Sequence, residues 1–128
     1  MKAIRCHEYG APSSLTLEEL PDPAPRAGEV VIETEAAGLG YVDALLVAGR
    51  YQVKTPLPFV PGSEVAGRVV ALGDGVPEKM MGQRVMALSP RGALAEKLAL
   101  PAMGCIPVPA NMSAEAAAGF IVSYCTAL

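Results

Sequence analysis

Leu57-Pro58-Phe59-Val60-Pro61-Gly62-Ser63-Glu64-Val65-Ala66-Gly67-Arg68-Val69-Val70-Ala71-Leu72-Gly73 is the run whose reading decides the architecture. Its first part is punctuated by Pro58, Pro61 and Gly62, residue types that interrupt helix and ladder alike. From Ser63 onward it becomes rich in valine and alanine, which predicts a strand over Ser63–Leu72. Gly73-Asp74-Gly75 closes that strand as a turn, because glycine adopts φ > 0 without a Cβ clash.

The same alternation of breaker and β-branched run continues outward. Toward the N-terminus it predicts strands over Ala3–Cys6, Leu15–Leu20 and Glu29–Ala37, the last reached through the rigid connector Asp22-Pro23-Ala24-Pro25-Arg26-Ala27-Gly28. Toward the C-terminus it predicts Arg84–Leu88, Ala93–Leu100 and Cys105–Val108. Short strands separated by frequent turn signals point to an all-β sandwich or barrel. Two helices are expected. Tyr41–Val47 is short, with Asp43 in its first turn, where a carboxylate favours the helix dipole. Ser113–Leu128 has Ser113 as N-cap, Glu115 in the first turn and an alanine-rich run behind it. It reaches the last residue without a stop signal, which reads as a helix cut short and a chain that is part of a longer protein.

Composition narrows the function classes. At 128 residues, 52% hydrophobic and 18% charged, the chain reads as globular. A chain of this length buries roughly two-thirds of its unfolded surface, so it can build a core without staples. No apolar run approaches the roughly 20 residues of a membrane span, and the N-terminus shows no signal-peptide pattern. Cys6, Cys105 and Cys125 are odd in number and far apart, which suits reduced thiols and a cytoplasmic protein. A net charge of −3 gives no electrostatic case for nucleic acid or for an anionic membrane as partner.

One motif is a decoy. Gly38-Leu39-Gly40-Tyr41-Val42-Asp43 follows a strand and opens a helix, as a dinucleotide fingerprint does. The third glycine is replaced by Asp43, whose charge would oppose a pyrophosphate, and the flanking strands do not alternate with helices. A strand-to-helix turn that needs small residues is the better reading.

The opening run resembles the signature of quinone oxidoreductases in the zinc-independent branch of the medium-chain dehydrogenase/reductase superfamily. Other landmarks follow in family order. Ala37-Gly38-Leu39-Gly40-Tyr41-Val42-Asp43 resembles the segment that borders the nicotinamide. Gly82-Gln83-Arg84-Val85 resembles a G-D-R-V strand start with Gln for Asp, and Gly92-Ala93-Leu94-Ala95-Glu96 resembles a G-x-x-A-E strand. Tyr124-Cys125-Thr126-Ala127 is similar to the x-x-T-A turn that leads into a cofactor domain.

The resemblance implies a mainly β fold, a GroES-like partly open β-barrel with a few short helices. Residues 1–112 would form that catalytic domain, and residues 113–128 would begin the helix into an NAD(P)-binding domain beyond the chain. The implied activity is NADPH-dependent reduction of a quinone or other α,β-unsaturated carbonyl, in a homodimer when full length, with the 128-residue piece inactive alone. Two other readings stay open: an enoyl-thioester reductase of the same superfamily, and a stand-alone binding module.

The resemblance also names residues. Zinc-dependent relatives carry a cysteine where this chain has Gly40 and a G-H-E where it has Gly62-Ser63-Glu64, and neither Gly40 nor Ser63 is a serious zinc ligand. The stretch Met86–Lys97, which matches the structural-zinc lobe, has no cysteine, and His7 reads as a strand-end histidine. No metal is therefore expected. Tyr41 and Tyr51 are the candidate catalytic residues, as hydroxyl donors or walls of the substrate cleft. Gly40, Tyr41 and Thr126 are the candidate cofactor contacts. Asp43 and Glu64 are acids beside the cleft, expected to be paired with Arg50 or with backbone N–H groups rather than to act as bases.

Overall fold

In the computed structural model, which describes residues 1–127, a strand forms in each of the seven expected places. These are β1 (Lys2–Arg5), β2 (Thr16–Glu19), β3 (Glu29–Gly38), β4 (Glu64–Leu72), β5 (Arg84–Leu88), β6 (Lys97–Pro101) and β7 (Ile106–Pro107). β7 is only two residues long, because Pro107 and Pro109 have no N–H to donate to a ladder. β6 starts later than expected because Ala93 and Leu94 pair elsewhere. Their amides donate to Gly62 O at 3.1 Å and to Pro61 O at 3.0 Å, in the loop before β4.

β1 and β2 form a two-stranded antiparallel sheet, and the others form a five-stranded antiparallel sheet in the order β6-β3-β4-β5-β7. The edges β6 and β7 are not paired with each other among the described residues, so the sheet curls without closing. The β1 end is joined to the rest by the bridges Ala3↔Ala95 and Cys6↔Phe59. Register shifts on β3, between Val31 and Ile32 and between Thr34 and Ala36, supply the curl, since each bulge raises the local twist.

The first half of β4, Glu64–Gly67, is buried on both faces, whereas Arg68 and Val70 beyond it are exposed. Val65 and Val69 point into the main core with Val30 and Ile32 of β3, Val85 and Ala87 of β5, and Leu100 of β6. Ala66 points the other way and packs with Met86 against Ala117, Ala118 and Ile121. A smaller cluster under α1 (Tyr41–Ala48) joins Leu46 and Val47 to Cys6 and Phe59. No helix among the described residues is long and apolar enough to cross a membrane.

The C-terminal helix departs from expectation. Ser113 does cap it, its Oγ accepting the Ala116 N–H at 3.1 Å. The α-helical part, α2, spans only Ala114–Ala118 and stops at Gly119. Ile121–Cys125 then takes a wider π-type turn. Two causes act together, one local and one distant in sequence: glycine is a poor helix former, and the Val122 amide donates to Glu64 Oε1 at 2.9 Å. Leu128, the last residue of the expected helix, lies outside the described residues.

Gly38, the last residue of β3, permits this packing. A Cβ there would lie 2.5 Å from the Ala118 carbonyl oxygen and 3.0 Å from Glu64 Oε2. The carbonyl is backbone and cannot rotate away. Gly38→Ala is therefore expected to destabilise the chain by about 1–3 kcal/mol, the usual cost of forced overpacking. A urea titration checks it: the midpoint should fall at an unchanged m-value.

Candidate active-site cleft

The cleft is assembled where β3 leaves the sheet and β4 enters it. Gly38 and Glu64 are register partners, so the end of one strand lies beside the start of the other. After β3 the chain turns through Leu39 and Gly40 into α1. The Gly40 amide donates to Asp43 Oδ2 at 2.8 Å, which ties the helix start to its own third residue. Ser63 arrives from the opposite side, delivered by Gly62. That glycine has φ +102°, and a Cβ on it would lie 2.8 Å from Ala93 Cβ and 2.9 Å from the Leu94 amide nitrogen. Only glycine lets the 93–94 segment cross so close behind Ser63.

Gly40, Tyr41 and Val42 line a cavity of about 500 Å³ together with Ser63 and Glu64. Leu88, Ser89, Pro90 and Val122 complete its lining. A neighbouring cavity of about 330 Å³ shares Val42, Ser63 and Pro90 with it and carries Tyr51 and Lys54. Tyr41 is 79% exposed at the mouth of the first cavity, and Tyr51 is 36% exposed on the wall of the second. The two tyrosines named from sequence thus stand on adjoining stretches of one groove, not face to face in one pocket.

Asp43 and Glu64 are 6% and 8% exposed. Each is held by a backbone amide, Gly40 for Asp43 and Val122 for Glu64. Arg50, the other expected partner, is exposed at the end of α1 and takes part in neither contact. Asp43 Oδ1 is buried with no hydrogen-bond partner among the described residues. Thr126 is exposed, one turn past Val122, and does not line the cavity.

Among the described residues, no three His, Cys, Asp or Glu side chains gather where they could hold a metal ion. Burial pushes the Cys105 thiol up to about 11 and raises the Cys6 thiol above its ordinary range, so both stay protonated at neutral pH. Cys125 is exposed.

Sequence reasoning missed Leu88, Ser89, Pro90 and Val122 as walls. The Ser-Pro pair directly after a strand was the available signal for the first group. Val122 had none, because its position depends on the break in the C-terminal helix.

The cleft is therefore mostly apolar, with Ser63 and Tyr41 as its hydroxyl-bearing residues and a carboxylate already committed to the backbone. It suits a flat apolar molecule with an oxygen to polarise. The α1 N-terminus is no pyrophosphate cradle, since Asp43 already takes the Gly40 amide.

The Glu64–Val122 bond separates an acceptor from a general base. Glu64→Gln keeps a side-chain oxygen for Val122 and should leave its amide as slow to exchange with deuterium as before. Glu64→Ala leaves that amide unpaired, a cost of about 1–3 kcal/mol, and should speed exchange at Val122 more than at the β4 amides.

Residues 26–110 match the alcohol dehydrogenase GroES-like domain family. The Homo sapiens synaptic vesicle membrane protein VAT-1 homolog is 36% identical over 121 residues, which is 93% of this chain and 31% of that protein. The crystal structure of the human VAT-1 homolog-like protein superposes with a TM-score of 0.95 at 35% identity, covering 99% of this chain and 41% of that one. The quinone oxidoreductase of Thermus thermophilus, whose crystal structures include a complex with NADPH, superposes with a TM-score of 0.86 at 41% identity, covering 99% and 39%. The chain thus spans about a third of the length of the curated relatives it matches.

Proposed function

Because the chain belongs to the alcohol dehydrogenase GroES-like domain family, we propose that it is the substrate-side domain of an NADPH-dependent, zinc-independent oxidoreductase that reduces quinones or other α,β-unsaturated carbonyls. The observation that carries this reading is the make-up of the cleft: Gly40 and Ser63 share it with apolar walls and hydroxyl donors, and neither offers a thiolate or imidazole to a metal. The likeness to an NADPH-binding quinone oxidoreductase supports it.

NADPH, when bound, supplies the hydride. Gly40 and Tyr41 would border its nicotinamide, and Thr126, exposed beyond Val122, would meet it from outside the cavity. The pyrophosphate would belong to a nucleotide-binding domain after the C-terminal helical segment, since at the α1 N-terminus Asp43 holds the Gly40 amide and its charge opposes a second anion. The chain's own residues position and polarise the substrate. Val42, Leu88 and Pro90 hold a flat ring and exclude water from it. Ser63 and Tyr41 line the same cavity, and their hydroxyls would donate toward the carbonyl oxygen, where negative charge develops. Tyr51 shapes the outer arm of the groove. Glu64 and Asp43 hold the helical segments that frame the cleft. The full-length protein acts in the cytoplasm as a homodimer.

The direct test is NADPH oxidation by the full-length protein, followed with 1,4-benzoquinones of increasing size. Turnover with added zinc absent is expected, and no quinone reduction above the uncatalysed rate would overturn the reading. Elemental analysis after dialysis should find well under one zinc per chain, and one equivalent would refute the metal-free cleft.

Tyr51 is probed in the same full-length protein. A ring that only shapes the groove predicts that Tyr51→Phe leaves kcat and KM nearly unchanged, while Tyr51→Ala raises KM more for bulky quinones than for small ones. A hydroxyl that donates to the substrate predicts instead a fall in kcat of as much as about 10²-fold in Tyr51→Phe. The exposed position of Tyr51 on the second cavity favours the first outcome.

A further inference from the structure

Behind the cleft loop lies another cavity of about 500 Å³, lined by Arg5 of β1 and by Arg91. Its apolar wall includes Phe59, Val60 and Leu98. Phe59 is buried, and its backbone is fixed by paired hydrogen bonds with Cys6, at 2.8 and 3.1 Å. No aspartate or glutamate lines the cavity. The chain carries 13 acidic residues against 10 Lys and Arg, so a cavity lined by cations alone runs against the overall balance.

Neither arginine is neutralised locally. Neither guanidinium enters an ion pair among the described residues. The Nε of Arg5 is buried and has no hydrogen-bond partner among them. Glu18 is the acid that senses the Arg5 charge, but its carboxylate is committed. It accepts from Thr16 Oγ1 at 2.5 Å and from His7, and these bonds, with the charges of His7 and Arg5, hold it below the usual carboxylate range. A buried guanidinium N–H without an acceptor is unfavourable, and its forked donors match the spacing of two oxygens on a carboxylate or phosphate. An apolar wall beside such donors strengthens the pairing and gives an organic body somewhere to lie.

We propose that this cavity binds an organic anion, its carboxylate or phosphate held by Arg5 and Arg91 and its apolar body resting on Phe59, Val60 and Leu98. The site goes beyond the reading of the cleft and touches it through one loop. Ser89 and Pro90 line both cavities, and Ser89 Oγ donates to the Arg91 carbonyl at 2.6 Å. An anion gripped by Arg91 therefore restrains the segment that forms an edge of the cleft.

The test is a titration of the 128-residue chain by NMR, reading the Arg5 Nε–H and the backbone amides of Ser89, Arg91 and Gly92. The probes are benzoate and inorganic phosphate, with chloride at matched ionic strength as control. Saturable shifts are expected with Kd of roughly millimolar order, tighter for benzoate than for phosphate. Arg91→Gln, at an exposed position whose side chain makes no ion pair among the described residues, should weaken binding roughly tenfold, the loss of a charge-assisted hydrogen bond. Arg5→Lys keeps the charge but loses the fork and should weaken it too, with the amide spectrum reporting whether β1 is intact. Shifts no larger than those with chloride, or unchanged affinity in Arg91→Gln, would overturn the proposal. Phosphate binding tighter than benzoate would overturn the apolar-body part and assign the site to a phosphate group. Quinone reduction is not read in this experiment, so its failure and a failure of the cleft reading are distinguishable.

Discussion

The Glu64–Val122 hydrogen bond, made where Gly38 passes beneath Ala118, is the constraint on which the rest of the site depends. Three elements meet there: the end of β3, the start of β4 and the C-terminal helical segment. A buried carboxylate must find donors, and the one it finds is a helix amide. By taking that amide it helps to open the helix after Gly119 into a wider turn, and the wider turn sets Val122 against the cavity. Replace Gly38 by any residue with a Cβ and the helix must retreat. Remove the carboxylate and the amide loses its partner. The wall of the cleft and the break in the helix are thus one physical event.

The same economy governs the sheet. The start of β4 could not alternate between apolar and polar residues, because Val65 faces the main core while Ala66 faces the C-terminal helix; alternation resumes at the exposed Arg68 and Val70. A stretch covered on both sides reads as a continuous apolar run, and Val65-Ala66-Gly67 does, until Arg68 marks where the cover ends. The small size of Ala66 matters as much as its polarity, since Ala117 and Ala118 pack directly over it. Curvature comes from the neighbouring strand, where the two register shifts of β3 bend the sheet toward its own edges without joining them.

Much of this was legible in the residues. Every strand appears where proline and glycine punctuation put it, and Arg84–Leu88 has the expected bounds. The helix that opens at Tyr41 and the Ser113 cap were equally readable, because both depend on local chemistry. The C-terminal helix was misjudged because its break depends on Glu64, 58 residues away in sequence, and no periodicity within the helix records that bond. Gly119 was the one local warning. Among the site residues, Gly40, Tyr41 and Glu64 do share a cavity, whereas Tyr51 lies on the adjoining one and Thr126 on neither. Of the residues left unnamed, Leu88 ends β5 and Ser89 and Pro90 follow it, where sequence patterns describe a turn but not what the turn faces.

The turn at Gly38–Asp43 shows how little separates two uses of one backbone shape. A strand that passes through small residues into a helix N-terminus presents amides to whatever anion arrives first. In a nucleotide site that anion is a phosphate, and the helix residues near it must be uncharged and small. Here it is the chain's own Asp43, 2.8 Å from the Gly40 amide and nearly buried. An internal carboxylate satisfies that amide and repels a second anion, so the turn does not offer the amide to a phosphate. Gly40, Tyr41 and Val42 instead line an apolar cleft. The position of a single acid in the first helical turn, three residues after the last glycine, therefore decides whether this stretch receives a ligand's charge or shapes the space for a neutral ring.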